Sequence, residues 1–307
     1  MHIGILSRNS KIYSTKRIAE EIKARGHELS VIDPLKCYVN ISAREPEIFY
    51  KNSKNSSSQK LLLDIVIPRI GASITSYGTA ILRQFEVSGV YVANQSIAIT
   101  RSRDKLRAHQ LLARDHISMP ATSYAHSASA TDDLINFVGG SPLIVKVLES
   151  TQGKGVLLAE TNKAAQSLIN AFLNLKTDFL VQEFISESQG SDIRCFIVGG
   201  KVVASMQRVA ASGEYRSNLH AGGEGRIVDL SKEERNISIK AAKVLGLNIA
   251  GVDLVRSRHG PLVLEVNSSP GLEGIEKITG INVAAKIVEY VEDIKVKGIK
   301  TRIQSIG

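Results

Sequence analysis

The chain has 307 residues, a formal net charge of +9 and a globular composition, with 43% hydrophobic and 22% charged residues. This composition excludes a mainly disordered chain, and the length accommodates two or three packed lobes. The sequence contains no apolar run near the ~20 residues that span a bilayer and no signal-peptide core, which predicts a cytoplasmic protein without a membrane partner. The positive charge favours anionic partners, but zinc-finger spacing and aromatic-plus-basic signatures are missing, so we expect no direct nucleic-acid binding.

The first predicted elements form an α/β unit. An apolar strand at residues 2–6 precedes an amphipathic helix at about residues 14–25 and a second strand at residues 29–32. A G-x-G-x-x-G fingerprint does not follow the first strand, so this unit is not the expected nucleotide site. A polar stretch at residues 51–60 predicts a surface loop before the next buried strand. We assign residues 1–97 to an N-terminal α/β domain.

Two further lobes follow. A strand at residues 90–93 and one helix at about residues 96–114 lead to two apolar strands in SPLIVKVLE and TQGKGVLLAE. With a helix at about residues 163–175, they predict a central α+β lobe at residues 98–178. Residues 179–307 form the predicted C-terminal lobe. Its predicted strands lie at residues 193–198, 201–207, 249–255 and 262–266, and its predicted helices lie at about residues 232–245 and 284–294.

The most informative motif joins the apolar strands GVDLV and LVLEVN. Glu265 and Asn267 project to the same face of one strand because side chains alternate with a period of two. Asp253 lies on the preceding strand, which we expect to be its antiparallel neighbour. Two carboxylates and one amide are hard oxygen donors that suit Mg²⁺ bound to a nucleotide. The alternative is ordinary strand-end polarity, which is less favourable because half-burying these groups is costly.

A second motif begins at Lys146, which ends an apolar strand and precedes TQGKGV. A lysine in this position can place its charge on a phosphate. The closely spaced Gly153 and Gly155 allow backbone N–H groups to approach phosphate oxygens. The spacing is not that of a Walker A loop, so this segment alone is equally compatible with a simple hairpin turn.

Two segments carry weaker signals. FLVQEFI, which contains Glu183 and Phe184, suits contacts with an adenine edge and a ribose hydroxyl, although taken alone it favours an interlobe strand. The loop RSNLH begins at Arg216, follows Arg208 and concentrates cations and amides, a composition that suits anion binding. We assign no role to His220, because a lone loop histidine more often makes structural hydrogen bonds.

Taken in chain order, these segments resemble the ATP-grasp superfamily. Within it, PRIG, RDKLRAHQLLAR, DIRCFIVG and VNSSPGLEGIE resemble RimK-type ligases over nearly the whole chain. These enzymes add glutamate to the C-terminus of a small-subunit ribosomal protein. The resemblance implies α/β and α+β structure in a three-lobed ATP-grasp fold with an N-terminal α/β (pre-ATP-grasp) domain.

The resemblance also implies roles for individual residues. Asp253, Glu265 and Asn267 would hold two Mg²⁺ or Mn²⁺ ions, with Glu265 bridging them. The implied ATP-binding residues are Lys105, Lys146, Gly153, Gly155, Glu183, Phe184, Asp192, Arg216, Ser217 and Asn218. Arg208 is the implied catalytic residue, because its charge would stabilise a tetrahedral oxyanion.

The implied reaction is an ATP-dependent carboxylate–amine ligation. An acceptor carboxylate attacks the γ-phosphate of ATP, and the amine of L-glutamate then attacks the resulting acyl phosphate, so that ADP and phosphate are released. The implied acceptor is a ribosomal protein C-terminus or a glutamyl peptide that grows into poly-α-glutamate. The alternatives are a glutamate ligase acting on a small metabolite or carrier protein, and a nucleotide-binding regulator without turnover. The sequence leaves open whether the chain forms a homo-oligomer.

Two positions depart from the family pattern. Lys154 stands between two glycines where the pattern has an apolar residue, and Ala221 follows His220 where the pattern has arginine. These departures bear on the phosphate loop and on acceptor affinity.

Overall fold

The structure, a computed structural model, describes residues 1–42, 46–53, 55–148, 155–211, 214–217 and 222–298. The predicted site residues Gly153 and Asn218 lie outside these ranges, as do Lys154, His220 and Ala221. No helix within the described ranges is both long enough and apolar enough to cross a membrane.

In chain order the strands are β1 (His2–Leu6), β2 (Glu28–Ile32), β3 (Cys37–Asn40), β4 (Glu47–Tyr50), β5 (Gln59–Lys60), β6 (Ile65–Pro68), β7 (Tyr91–Val92), β8 (Thr122–Ser123), β9 (Leu143–Val147), β10 (Val156–Ala159), β11 (Phe179–Glu183), β12 (Ser191–Val198), β13 (Lys201–Val209), β14 (Glu224–Ile227), β15 (Ile249–Ser257) and β16 (Gly260–Asn267). The helices are α1 (Tyr13–Ala24), α2 (Thr75–Val87), α3 (Ser96–Arg103), α4 (Lys105–Arg114), α5 (Thr131–Phe137), α6 (Asn162–Asn174), α7 (Lys232–Leu245), α8 (Glu273–Thr279) and α9 (Val283–Val296).

The N-terminal domain is built on a parallel sheet with the strand order β2-β1-β6-β7. Its central strands are almost entirely buried, because α1 packs on one side and α2 packs on the other. Beside it lies a small antiparallel sheet, β3-β4-β5, that the sequence did not predict. The prediction of a loop over residues 51–60 is wrong at its end, where Gln59 and Lys60 pair with β4.

The other lobes contain antiparallel sheets. The central sheet has the order β10-β9-β11-β8 and packs its apolar face against α5 and α6. The C-terminal sheet has the order β14-β13-β12-β15-β16 and packs one face against α4 and α7. Helices α8 and α9 cover one end of its other face and join it to the core of the N-terminal domain. The remaining end of that face is left for polar side chains.

The single helix predicted at residues 96–114 is wrong, because the chain forms two helices separated at Asp104. The backbone of Asp104 is extended, with φ −82° and ψ 101°, and its side chain accepts a hydrogen bond from the N–H of Arg107 at 2.9 Å. Asp104 therefore caps the second helix, α4. As a result Lys105 occupies the first position of α4 and points toward the central lobe.

The N-terminal domain holds the loop that follows β16. Asn94 is buried and donates to the carbonyls of Ile249 at 2.7 Å and Ser268 at 3.2 Å. The backbone N–H of Leu272 donates to the hydroxyl of Ser14 at 2.9 Å. These contacts fix the end of β16, and with it the predicted metal ligands, relative to the N-terminal domain.

Candidate active site

One face of the C-terminal sheet carries a row of charged residues in register. Asp192 lies opposite Arg208 across β12 and β13. Asp253 lies opposite Arg194 on one side and Glu265 on the other. Directly opposed residues in an antiparallel sheet share a face, so acidic and basic side chains from four strands lie together on one face. The expected antiparallel pairing of the two strands that carry Asp253 and Glu265 is confirmed.

Arg208 and Arg194 together hold the carboxylate of Asp253. Arg194 donates to both oxygens, at 2.6 and 2.5 Å, and Arg208 lies 3.0 Å from Oδ2. Arg208 also donates to both oxygens of Asp192, at 2.7 and 2.5 Å. Burial alone would raise the pKa of Asp253, but the two guanidinium groups outweigh it and the pKa is lowered. Arg208 is therefore a permanently charged, buried bridge between two carboxylates.

Glu265 and Asn267 stand beside Asp253 with unused polar atoms. The carboxylate of Glu265 is exposed and makes no hydrogen bond or ion pair within the described ranges. Asn267 lies opposite Gly251, and its amide nitrogen is buried without a hydrogen-bond partner. A Cβ on Gly251 would lie 2.8 Å from the Cβ of Pro270, so glycine is needed for the turn after β16 to fold over β15.

These three residues fit a hard divalent cation. The described part of the chain holds no cluster of three or more acidic, histidine or cysteine side chains suited to a metal, so a site here consists of two carboxylates and one amide oxygen. Such a set leaves coordination positions for water and phosphate, as Mg²⁺ requires. Arg194 contacts both oxygens of Asp253 and Arg208 contacts one, so a cation would share this carboxylate with the two guanidinium groups.

Two lysines approach Glu265 from the central lobe side. Lys146 on β9 donates to Oε1 of Gln182 at 2.5 Å, and Lys105 donates to the carbonyls of Val147 at 3.2 Å and Leu148 at 2.8 Å. Burial lowers the pKa of both ammonium groups, to about 8 for Lys146, while the charge of Glu265 opposes this shift. The structure thus brings the two predicted lysines together with the predicted metal ligands.

A buried chain of hydrogen bonds positions Lys146. Nδ1 of His109 lies 2.7 Å from the carbonyl oxygen of Lys105, so Nδ1 carries the proton. Nε2 of His109 then accepts from the amide nitrogen of Gln182 at 3.2 Å, and the same nitrogen donates to Thr122 at 2.9 Å. This arrangement turns the amide oxygen of Gln182 toward Lys146. If Nε2 of His109 were protonated, its N–H would face the N–H of the Gln182 amide, and the hydrogen bond between them would be lost.

Glu183 and Phe184, which are predicted to line an adenine hinge, lie at the end of β11 and directly after it. The N–H of Glu183 donates to the carbonyl of Ala121 at 2.8 Å, and its carboxylate accepts from the N–H of Ala121 at 3.1 Å. Phe184 is partly exposed. Only Gly155 and Val156 of the TQGKGV segment lie within the described ranges. The flanking strands β9 and β10 are antiparallel, and the N–H of Val147 donates to the carbonyl of Gly155 at 2.8 Å.

Arg216 makes side-chain contacts within its own short segment. Its guanidinium donates to both oxygens of Glu214, at 3.1 and 2.7 Å, and lies over the ring of Tyr215. Ser217 is buried. The hydroxyl of Tyr215 donates to the carbonyl of Val156 on β10 at 2.7 Å, so this short segment lies against the start of β10.

Two residues of the site were missed by reasoning from the sequence. Arg194 follows Asp192 by two positions in DIR, and strand alternation alone places both on the charged face. His109 follows Lys105 by four positions, which places both on one face of α4. The partner of His109 could not be read from the sequence, because Gln182 comes from a different lobe.

The neutral state of His109 predicts that stability depends on pH. The pKa of His109 is lowered from 6.5 to about 4, because burial and then the charge of Lys146 disfavour the imidazolium. The unfolded chain binds this proton near pH 6.5, so stability is full above about pH 6.5 and falls as pH drops toward about 4. When the pH falls from about 7.5 to about 4.5, the free energy of unfolding, measured by urea denaturation, should decrease by roughly 2–3 kcal/mol more in wild type than in His109→Gln.

The matched control is a substitution of the exposed His126. His126→Gln should show the same decrease in the free energy of unfolding as wild type. An identical pH dependence in His109→Gln and wild type would contradict the neutral, buried assignment.

Two family models and several known proteins are similar to this chain. A family model described as the RimK PreATP-grasp domain matches residues 1–99, and one described as the RimK-like ATP-grasp domain matches residues 102–291. A "probable alpha-L-glutamate ligase 2" of Hahella chejuensis is 64% identical over 291 residues, which cover 95% of each chain. A "probable alpha-L-glutamate ligase" of Nitrosococcus oceani is 58% identical over 307 residues, which cover 100% of each chain.

Solved structures agree with the fold. The ATP-grasp ligase PsnB, solved with a phosphomimetic variant of a minimal precursor, Mg and ADP, superposes with a TM-score of 0.73 at 19% identity, over 96% of this chain and 98% of PsnB. The predicted fold class is therefore confirmed, as is the prediction of an ATP-dependent ligase. The chain belongs to the RimK-like ATP-grasp family.

Proposed function

We propose that this protein joins L-glutamate to an acceptor carboxylate, using ATP and an acyl-phosphate intermediate. The observation that carries the proposal is the convergence of Lys105 and Lys146 on Glu265, beside Asp253. Two cations suit the phosphates of a nucleotide, and adjacent oxygen ligands suit its metal. The glutamate assignment is supported by the names of the relatives from Hahella chejuensis and Nitrosococcus oceani.

The nucleotide would lie between the central and C-terminal lobes, in a three-lobe division at residues 1–97, 98–178 and 179–307. Glu183 and Phe184 would meet adenosine, and Lys105 and Lys146 would meet the phosphates. Gly153, Gly155, Asp192, Arg216, Ser217 and Asn218 complete the proposed ATP-binding set. PsnB, which shares the fold, has been solved with Mg and ADP. Two Mg²⁺ or Mn²⁺ ions on Asp253, Glu265 and Asn267 would neutralise phosphate charge during transfer.

The protein's own groups then have separate tasks. The lysines hold the phosphates in position, and the hydrogen bonds through Gln182 and His109 fix the orientation of the Lys146 side chain. Arg208 keeps its positive charge at every accessible pH, because Asp253 and Asp192 outweigh the effect of burial on its pKa. A fixed guanidinium suits the oxyanion that forms when the glutamate amine attacks the acyl phosphate. Arg208 also neutralises two buried carboxylates, so its loss would affect stability as well as turnover.

We assign the acceptor to the C-terminus of a small-subunit ribosomal protein, or to a glutamyl peptide that grows into poly-α-glutamate, in the cytoplasm. The net charge of +9 favours polyanionic chains of this kind. PsnB, a fold relative, has been solved with its minimal precursor, which supports a peptide acceptor for this architecture.

The proposal predicts ADP release that requires L-glutamate, an acceptor and Mg²⁺. Mass spectrometry of the acceptor should show additions of whole glutamyl units. Glu265→Gln and Asn267→Ala should each lower kcat by at least ~100-fold, because each removes a ligand that stabilises phosphoryl transfer. Glu273→Gln, an exposed acid in the helix that follows the turn after β16, should leave the rate unchanged and serves as the matched control.

Nucleotide binding without ADP release or glutamyl addition, for every acceptor tested, would refute the ligase proposal. ADP release with a small metabolite or carrier protein as the sole acceptor would refute only the ribosomal and glutamyl-peptide assignment.

Gln182→Leu should weaken ATP binding while preserving the shape of the site. The substitution removes the acceptor of the Lys146 ammonium and the partner of His109. We expect the KM for ATP to rise about tenfold, equivalent to roughly 1.4 kcal/mol, with a smaller change in the KM for L-glutamate. Gln166→Leu, which removes one surface hydrogen bond to Asp132 at 2.8 Å, is the control. Equal KM values for ATP in the two variants would contradict a positioning role for Gln182.

A further inference from the structure

The parallel sheet of the N-terminal domain has a ligand-binding edge, and Arg69 stands there. The strand order β2-β1-β6-β7 reverses direction between β1 and β6. In open parallel sheets, ligands bind in the crevice outside the carboxyl ends of the strands where the order reverses. Arg69 follows β6 directly, and its backbone N–H donates to the carbonyl of Leu6, the last residue of β1, at 2.8 Å. Arg69 therefore lies at the mouth of this crevice.

The backbone around Arg69 is held in place from two sides. Helix α2 approaches so closely that a Cβ on Gly78 would lie 2.7 Å from Cγ2 of Ile70. From the other side, Nη2 of Arg103 at the end of α3 donates to the carbonyl of Ile70 at 2.8 Å. Arg69 and Arg103 are thus neighbours on rigid elements, although they are far apart in the sequence.

Neither guanidinium group makes an ion pair with any residue that the structure describes. Within the described ranges the side chain of Arg69 makes no hydrogen bond or ion pair, and Nε of Arg103 is buried without a hydrogen-bond partner. Burial, and then the charge of Arg103, lowers the pKa of Arg69 to about 10. Keeping two like charges together and partly desolvated is costly unless an anion joins them in the working state of the protein.

Arg103 connects the arginine pair to the proposed reaction centre. Burial lowers the pKa of Arg103, and the charge of Glu265 opposes this shift, so the guanidinium lies within electrostatic reach of the proposed metal site. The same carboxylate also influences the pKa values of Lys105 and Lys146. Glu265 therefore interacts with a lysine pair that suits phosphates and with one member of an arginine pair that the nucleotide assignment does not use.

We infer that Arg69 and Arg103 form a carboxylate subsite that binds a non-reacting carboxylate of the amino-acid substrate. This inference rests on the proposed function, which makes that substrate L-glutamate. Guanidinium groups match carboxylates through paired hydrogen bonds, whereas a lysine ammonium acts as a point charge. The side chain of Arg69 is only partly exposed, which suits a small free amino acid better than the end of a protein chain. Binding there would direct the amine of the substrate toward the centre beside Glu265.

The test is calorimetric binding of L-glutamate to the full-length protein in the presence of Mg²⁺ and a non-hydrolysable ATP analogue. Arg69→Gln should raise the Kd for L-glutamate at least ~10-fold and leave the Kd for the analogue within about twofold. Arg83→Gln, which removes an exposed charge from α2 of the same domain, should change neither constant. Because Arg69 is an unpaired, partly buried charge, Arg69→Gln should melt at the same temperature as wild type or higher.

Equal glutamate affinity in Arg69→Gln and Arg83→Gln would overturn the subsite, as would a lower melting temperature in Arg69→Gln than in Arg83→Gln. A rise in the KM for the acceptor without a change in the Kd for L-glutamate would also overturn it. Glutamate-dependent ADP release by the wild-type protein is measured separately. Its presence with an unaffected Arg69→Gln variant would refute the subsite and leave the proposed function standing.

Discussion

The carboxylate of Asp253 is the point on which the site depends. It is 5% exposed and is held by two arginines from neighbouring strands, one of which also neutralises Asp192. A buried carboxylate is unfavourable unless its charge is compensated, so the pairs must stay in register across β13, β12 and β15. That register also places Glu265 beside Asp253. The interaction that stabilises the sheet and the arrangement that suits a metal are therefore the same structural feature.

Each of the three lobes contributes different residues to the candidate active site. The C-terminal sheet supplies the charged row, and the central lobe supplies Lys146 with the amide that orients it. The N-terminal domain supplies no predicted nucleotide contact, yet it anchors the turn after β16 through Asn94 and Ser14, and its residue Ile70 accepts a hydrogen bond from Arg103. A small displacement of any lobe would separate groups that must act together, and this explains why ion pairs and buried hydrogen bonds link the lobes.

Local patterns predicted much of the fold. Apolar alternation located the main strands, and the helix predicted at residues 232–245 coincides with α7, whose limits are marked by a capping box at Ser231 and by Gly246. The prediction failed at Asp104, because the helical pattern of the sequence continues through this residue. The change of chain direction at Asp104, and its role as the cap of α4, become apparent only in the structure. Same-strand alternation also predicted that Glu265 and Asn267 share a face. The partners of His109 and Arg103, Gln182 and the carbonyl of Ile70, could not be predicted, because each contact joins segments distant in the sequence.

The most direct test of the account is a crystal structure with Mn²⁺, ADP and L-glutamate, with the metal located by its anomalous scattering. The account predicts anomalous peaks within coordination distance of the carboxylates of Asp253 and Glu265 and the amide oxygen of Asn267. Manganese bound elsewhere, with Asp253 still held by both Arg194 and Arg208 and no metal beside Glu265, would contradict it.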